Sequence, residues 1–177
     1  RVKPKGAFFE LTDEELSLGK ILATDVDFGP DGALYVSDWV DGWNGLGKGR
    51  IYRFFDPAQA SSPAVREVRE LLAANLTSRT PRELRSLLSH ADRRVRQAAQ
   101  FALVDLGATE TLVAAAAKDS GGSTLSRLHA IWGLGQLASQ QKSTPSIAAT
   151  IVTLLDDADD EVRAKAARAA GDLDLGD

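Results

Sequence analysis

The chain has no cysteine and no methionine among its 177 residues. Without thiols, disulfides, thiolate metal sites, thiol nucleophiles and covalent c-type haem attachment are all excluded within this stretch. The lack of methionine, with a start at Arg1 in "RVKPKGAFFEL", gives the expectation of a piece cut from a longer protein. No secretory signal is visible, and on that expectation its absence says little about compartment. Positive charge is not in excess: 21 Lys and Arg stand against 25 Asp and Glu, for a net charge of −4. Arg93, Arg94 and Arg96 form the densest basic group. Nucleic-acid binding favours a clustered basic surface, so no nucleic-acid partner is expected. No apolar run approaches the roughly 18 residues of a membrane helix, so no span is expected. Aromatic residues are scarce at 6%, and two of the three tryptophans fall in one loop. What is present, 44% apolar and 26% charged, is the composition of a globular protein.

The first third reads as short strands. "ATDVDF" (Ala23–Phe28) puts Val26 and Phe28 on one face and Asp25 and Asp27 on the other. "ALYVSD" (Ala33–Asp38) places Leu34 and Val36 opposite Tyr35, and "GRIYRFF" (Gly49–Phe55) alternates less regularly. "GPDG" (Gly29–Gly32) joins the first two as a tight hairpin turn: Pro30 presets φ, Asp31 bonds the backbone locally, and Gly32 permits positive φ. "GAFFEL" (Gly6–Leu11) is a candidate fourth strand. Four short antiparallel strands make one blade of a β-propeller, and a lone blade leaves surface that only neighbouring blades can cover. Residues 1–57 are therefore expected to be the last blade of a truncated propeller.

The remainder reads as repeating helix. "LLSHADRRVRQAAQFAL" from Leu87 returns as "LLDDADDEVRAKAARAA" from Leu154, an offset of 67 residues (154 − 87). It superposes Asp92 on Asp159, Val95 on Val162, Arg96 on Arg163, Ala99 on Ala166 and Ala102 on Ala169. Between them lies "STLSRLHAIWGLGQL", whose Arg127 stands 31 residues after Arg96 and 36 before Arg163. That period, with two helices per unit, is a solenoid signature. Asp92, Ser123 and Asp159 sit where N-caps belong. Val95, Ala99, Ala102, Leu103 and Leu106 share one helical face. Asp92–Arg96 and Asp159–Arg163 have the favourable i, i+4 orientation for ion pairs. Helices are expected at about 64–74, 80–89, 93–106, 109–118, 124–138, 145–156 and 160–173, with Pro63 and Pro81 at helix starts. "KDSGGST" (Lys118–Thr124) reads as a flexible break. Gly133 and Gly135, unfavourable in a helix, are expected to permit close packing around Trp132. The fold class is thus mixed and mostly α. Residues 58–79 are a linker with a short helix, and 80–177 an α-solenoid of about three hairpins.

Several residues invite chemical readings. Asp25, Asp27, Asp31, Asp38 and Asp41 carry the hard oxygens that Ca²⁺ takes, but their spacing matches no EF-hand loop. Turn-forming and strand-edge roles are the preferred reading. The loop "DWVDGWNGLGKGR" (Asp38–Arg50) is the best candidate binding element, since long loops on rigid sheets often carry such residues. Trp39 and Trp43 suit stacking on a sugar or quinone ring, and Asp41, Asn44, Lys48 and Arg50 suit polar contacts to a substrate or an interface. The preferred reading is that the Trp pair packs the blade or its contact with the helices. "GLGKG" lacks the sequence and following helix of a P-loop. His90 and His129 have no partner spacing for metal or haem, and "DDADDEVR" reads as a solvated turn with a cap. No catalytic residue and no metal ligand is assigned.

"GAFFEL…LATDVDFGPDGALYVSDWVDGWNGLGKGRIYR" resembles the closing blade of sorbosone/glucose-dehydrogenase-like propellers. It resembles more closely the planctomycete and verrucomicrobial membrane-bound dehydrogenase-like proteins, also described as heme-binding CxxCH proteins. "LL…D..VR..A…A" is similar to HEAT repeats, in which the Asp and Arg often pair between units. "RLHAIWGLGQL" resembles the central repeats of the same family. The resemblance implies an exported, periplasmic parent in which a propeller, HEAT-like repeats and a cytochrome c-type domain follow one another. It implies oxidation of sugar-like alcohols or aldehydes, with pyrroloquinoline quinone, calcium and heme c as cofactors of the parent. It implies no cofactor in this stretch, which would close the propeller and dock or space the next domain. Its partners would be the missing blades and the downstream domain of the same chain. Two alternatives stay open: a protein-interaction scaffold, its partner on the concave face of the repeats, with no enzymatic parent, and a propeller that binds carbohydrate without turnover.

Overall fold

The computed structural model describes residues 2–6, 8–13, 15, 18–39, 47–118, 120–142 and 145–174. The fold is mostly α with two small antiparallel sheets. It divides into two units, Arg1–Ser62 and Pro63–Asp177.

Among the described residues, the five strands all lie in the first unit. β1 (Val2–Lys5) and β2 (Phe8–Leu11) form a two-stranded hairpin, with Gly6 at φ 61° beside the turn. β3 (Ala23–Phe28), β4 (Leu34–Asp38) and β5 (Arg50–Phe54) form a separate three-stranded sheet with β4 in the centre. The expected single four-stranded blade is therefore not what forms. Phe8–Leu11 is a strand, but it spends its backbone hydrogen bonds on Val2–Lys5 rather than on the edge of β3. The register aligns Val26 with Val36 and Tyr52, and Phe28 with Leu34 and Phe54, so one sheet face is apolar. The other carries Asp25, Asp27, Tyr35, Ser37 and Arg53. Val36 is buried, yet Val26 is 58% and Phe28 63% exposed.

The turn between β3 and β4 follows the sequence reading. Gly32 adopts φ 74°, its N–H donates to Gly29 O at 3.1 Å, and the Gly29 N–H donates to Ala33 O at 2.8 Å. A side chain at Gly29 would lie 2.5 Å from the Tyr35 ring, so glycine is required there by contact. Asp31 fastens the turn to β5: Arg53 donates to its Oδ2 from Nη2 at 2.7 Å and from Nε at 2.9 Å, and Tyr35 Oη donates at 3.0 Å. The Arg53 guanidinium holds the Asp31 carboxyl below its ordinary range. Asp38 Oδ1 accepts the Leu22 N–H at 2.9 Å. Asp31 and Asp38 are thus turn and strand-edge fasteners. α1 (Pro57–Ala60), capped by Asp56, ends the unit.

The second unit is helical throughout. α2 (Pro63–Ala73) packs on α4 (Arg93–Asp105) through Val68, Leu71 and Val95. A 3₁₀ turn at Leu76–Ser78 leads to α3 (Pro81–Leu87), whose start is a capping box. The Thr80 hydroxyl accepts the Glu83 N–H at 3.3 Å while the Glu83 carboxylate accepts the Thr80 N–H at 2.8 Å. α5 (Thr109–Ala116), α6 (Thr124–Leu137), α7 (Pro145–Leu154) and α8 (Asp160–Asp172) follow, with a π-helical turn at Ala138–Lys142 after α6. The caps fall where the sequence placed them. Asp92 accepts from Arg94 N at 2.8 Å, Ser123 from Ser126 N at 3.2 Å, and Asp159 from Glu161 N at 2.9 Å.

The helices pack in consecutive pairs. α3 pairs with α4, α5 with α6 and α7 with α8, while α4 touches α6, α6 touches α8, α3 touches α5 and α5 touches α7. Val95 and Val162, Ala99 and Ala166, and Ala102 and Ala169 are all buried, as one shared helical face requires. Leu106 is not: it caps α4 and lies 43% exposed. Gly133 earns its place against α5, because a side chain there would press on Leu112 at 3.0 Å. Gly135 has open space around its missing side chain, so the close-packing expectation fails at that position.

Candidate functional site

Among the sequence candidates, Trp39, Lys48 and Arg50 lie at the ends of β4 and β5, where Asp38 and Arg50 are register partners. Trp39 is about half exposed, and its N–H donates to Leu22 O at 3.0 Å. Arg50 Nη1 donates to Tyr52 Oη at 3.2 Å. Asp41, Trp43 and Asn44 lie outside the described residues.

The repeat arginines are wired differently from expectation. Neither Asp92–Arg96 nor Asp159–Arg163 forms its i, i+4 pair. Arg96 Nη1 donates to His90 O at 2.6 Å and Ala91 O at 2.8 Å. Arg163 Nη1 donates to the equivalent carbonyls, Asp157 O at 2.7 Å and Ala158 O at 3.1 Å. The reason is the turn before each helix. It ends with carbonyls that no helix satisfies, and the arginine one turn later folds back to satisfy them. The cap carboxylates keep closer partners. Asp92 takes Arg94, which holds its pKa down to about 2, and Asp159 accepts from Thr124 Oγ1 at 2.7 Å, which lowers its own.

Arg127 does pair between units. Its guanidinium forks onto Asp157, at 3.2 Å from Nη1 and 2.5 Å from Nη2, while Nε donates to Ala116 O at 3.1 Å. Both side chains are buried. Arg127 holds the Asp157 carboxyl below its ordinary value. The sequence reading singled out the caps and missed Asp157.

A groove of about 630 Å³ opens along α4, α6 and α8. Phe101 and Trp132, each more than 40% exposed, form its apolar wall. Lys165 Nζ sits 5.8 Å from the Trp132 ring centroid, and Arg168 lies beyond it. The floor is a buried polar chain. His129 Nδ1 lies 2.7 Å from Gln100 Oε1, and Gln100 Nε2 donates to Gln136 Oε1 at 2.8 Å. Burial first, then the nearby Arg96 charge, push the His129 pKa down to about 4, so the ring is neutral at pH 7. With Gln100 Oε1 as acceptor, His129 Nδ1 carries the proton. The direction of the chain is then fixed, and it ends in the Gln136 –NH₂, a donor. Asp172 also lines the groove, 3.9 Å from Arg168, so Lys165 is the uncompensated cation among the described residues, and with the Gln136 donor amide it favours a ligand of acceptors and negative charge. The edge of Trp132 stacks T-shaped on His129, with centroids 4.9 Å apart, which holds the aromatic wall in place.

Comparison with protein-family models, curated proteins and solved structures returns no match.

Proposed function

We propose that the helical unit is a HEAT-like α-solenoid of three hairpins, α3/α4, α5/α6 and α7/α8, acting as a scaffold. Its α4/α6/α8 groove docks an acidic polypeptide segment. The observation that carries this reading is the groove itself: two exposed aromatic side chains set over a hydrogen-bonded chain that ends in the Gln136 amide donor. The side-chain hydrogen bonds support the repeat. Arg85–Ala114, His129–Gln100, Arg127–Asp157, Thr124–Asp159 and Gln100–Gln136 span 29, 29, 30, 35 and 36 residues, at or just short of one period. Each therefore ties one hairpin to the next, as in quasi-one-dimensional stacks.

The three-stranded sheet is read as part of a propeller whose other blades lie in polypeptide outside these residues. Its open apolar face at Val26 and Phe28 supports this. The resemblance of residues 6–53 extends the proposal to an exported dehydrogenase-like parent acting on sugar-like alcohols or aldehydes. Asp25 and Asp27 accept from the N–H of the next residue, Asp31 and Asp38 are engaged within the sheet, and among the described residues no three His, Asp or Glu side chains are placed to hold a metal ion. Heme c would need the cysteines this chain lacks. On this reading the 177 residues support and dock, and turnover belongs elsewhere in the parent.

Photocrosslinking tests the docking role. A benzophenone amino acid placed at Gln97, on the groove rim, is expressed in the full parent chain. Crosslinks from Gln97 to an acidic polypeptide segment are expected. Absence of any crosslinked polypeptide, with the protein folded, overturns the scaffold reading. Dye-linked sugar oxidation and haem absorbance of the same preparation decide the parent's chemistry separately.

A further inference from the structure

A second cleft, of about 320 Å³, lies between α3 and the loop that leads to α6. Arg82 and Arg85 line it, with the serines at 86, 89, 120 and 126. No carboxylate lines it among the described residues, in a chain whose net charge is −4. The two arginines are three residues apart on α3, so they share a face, and like charges so placed repel. Arg85 is held in position. Its Nη2 donates to Ser120 O at 3.0 Å and to Ala114 O at 3.3 Å, which fixes the plane of the fork. Its Nε and Nη1 make no hydrogen bond among the described residues, and the Arg82 guanidinium has neither a hydrogen bond nor an ion pair there. Across the cleft the loop is built to lie close. The Gly122 N–H donates to Ser120 Oγ at 3.2 Å, and a side chain at Gly122 would sit 2.3 Å from Ser126 Oγ.

We propose that this cleft binds a phosphoryl group. The Arg82 guanidinium, the Nε and Nη1 groups of Arg85 and the Ser89 and Ser120 hydroxyls supply more donors than the two oxygens of a carboxylate accept. A phosphate offers three or more oxygens and a charge of about −1.5 to −2, which matches two arginines. The group is presented either as the free anion or as a phosphomonoester on a larger ligand, for which the cleft has room. The site is separate from the α4/α6/α8 groove and does not depend on the scaffold reading.

The test is an NMR titration of the ¹⁵N-labelled chain with inorganic phosphate and with O-phosphoserine, at ionic strength held constant with chloride. Saturable shifts are expected at the amides of Ser86–Ser89 and Ser120–Ser126. Arg82→Ala, on an exposed side chain without partners, is expected to weaken binding roughly tenfold or more while leaving the rest of the spectrum unchanged. Arg85→Lys keeps the charge but loses the Nε and Nη1 donors and the Nη2 clamp that positions them, and is expected to weaken binding as well. Tighter binding of O-phosphoserine than of phosphate identifies an attached phosphomonoester as the ligand, and the reverse order identifies the free anion. Shifts that fail to saturate, or that Arg82→Ala leaves unaltered, overturn the proposal.

Discussion

Replacing Asp157 by alanine strands the Arg127 guanidinium inside the helical unit. In the native protein that guanidinium makes two bonds to the Asp157 carboxylate and one to Ala116 O, and the two side chains are only 9% and 3% exposed. Asp157→Ala leaves the guanidinium with the Ala116 bond alone. Removing one partner of a buried ion pair costs about 3–5 kcal/mol, most of it the uncompensated charge. For a unit of this size that corresponds to a fall in Tm of roughly 10–20 °C. Removing both charges, in Arg127→Met with Asp157→Leu, is expected to recover most of the loss, since a buried pair replaced by apolar side chains of similar volume is often neutral. Urea unfolding followed by far-UV circular dichroism measures Asp157→Ala, and the double variant with its two single parents, Arg127→Met and Asp157→Leu, closes a double-mutant cycle. The pH dependence supplies a second check. Arg127 lowers the Asp157 pKa from its ordinary 3.8, so the pair's contribution is complete above that value. It is lost as pH falls through the lower, folded value. The gap between wild type and Asp157→Ala should therefore close in acid below about pH 4. A loss under about 1 kcal/mol at neutral pH, or a gap that persists at the acid end, would refute the reasoning.

Two further outcomes follow from the same unit. Gly135→Ala is expected to raise stability by about 0.5–1 kcal/mol, because the position is helical and open, whereas Gly133→Ala on the same helix gains nothing or loses, since its methyl would meet Leu112 at 3.0 Å. Equal urea midpoints for the two variants would show the contact with Leu112 to be unimportant. The neutral His129 ring sets an acid dependence of opposite origin to that of Asp157: its folded pKa of about 4 lies below the ordinary 6.5, so the native state resists a proton that the unfolded chain accepts. Stability referred to His129→Gln should be level above pH 6.5 and fall as pH drops toward 4, with His90 cancelling between the two proteins.

The helices were legible because their ends are chemical. Pro63 and Pro81 open α2 and α3, and Asp92, Ser123 and Asp159 cap α4, α6 and α8 through hydrogen bonds to the residues two or three places on. Such signals are local, and a sequence displays local signals directly. The strands Ala23–Phe28 and Leu34–Asp38 were legible for the same reason, with the Gly29–Gly32 turn between them. The separate β1–β2 hairpin was not. "VKPK" carries no apolar alternation, and nothing local tells Phe8–Leu11 whether to pair backwards in the chain or forwards. The side-chain partners were harder still. An i, i+4 rule suggested Asp92 for Arg96, but it ignores the carbonyls left open in the preceding turn, and these win because a buried guanidinium needs acceptors it can reach at once.

A sharper rule was available in the repeat itself. Once the period is known to be 31–36 residues, any polar side chain on a packed helix should be tested against partners one period away. That test pairs Gln100 with Gln136 and Thr124 with Asp159, at separations of 36 and 35. Arg127–Asp157 and His129–Gln100 fall just short of the period, at 30 and 29, because each joins the turn or helix of one unit to a neighbouring position in the next. Arg96 and Arg163 satisfy carbonyls five and six residues back, whereas Arg127, which follows the longer "KDSGGST" segment, reaches eleven back to Ala116. The residues inserted there displace the turn carbonyls from Arg127. That leaves Nη1 and Nη2 free to reach across to Asp157, while the same loop forms the wall that faces Arg82 and Arg85. One lengthened loop thus accounts for both the buried inter-unit ion pair and the basic cleft. Shortening it by deleting Gly121 and Gly122 should weaken the two together, and an Arg127–Asp157 coupling energy left intact by that deletion would separate them.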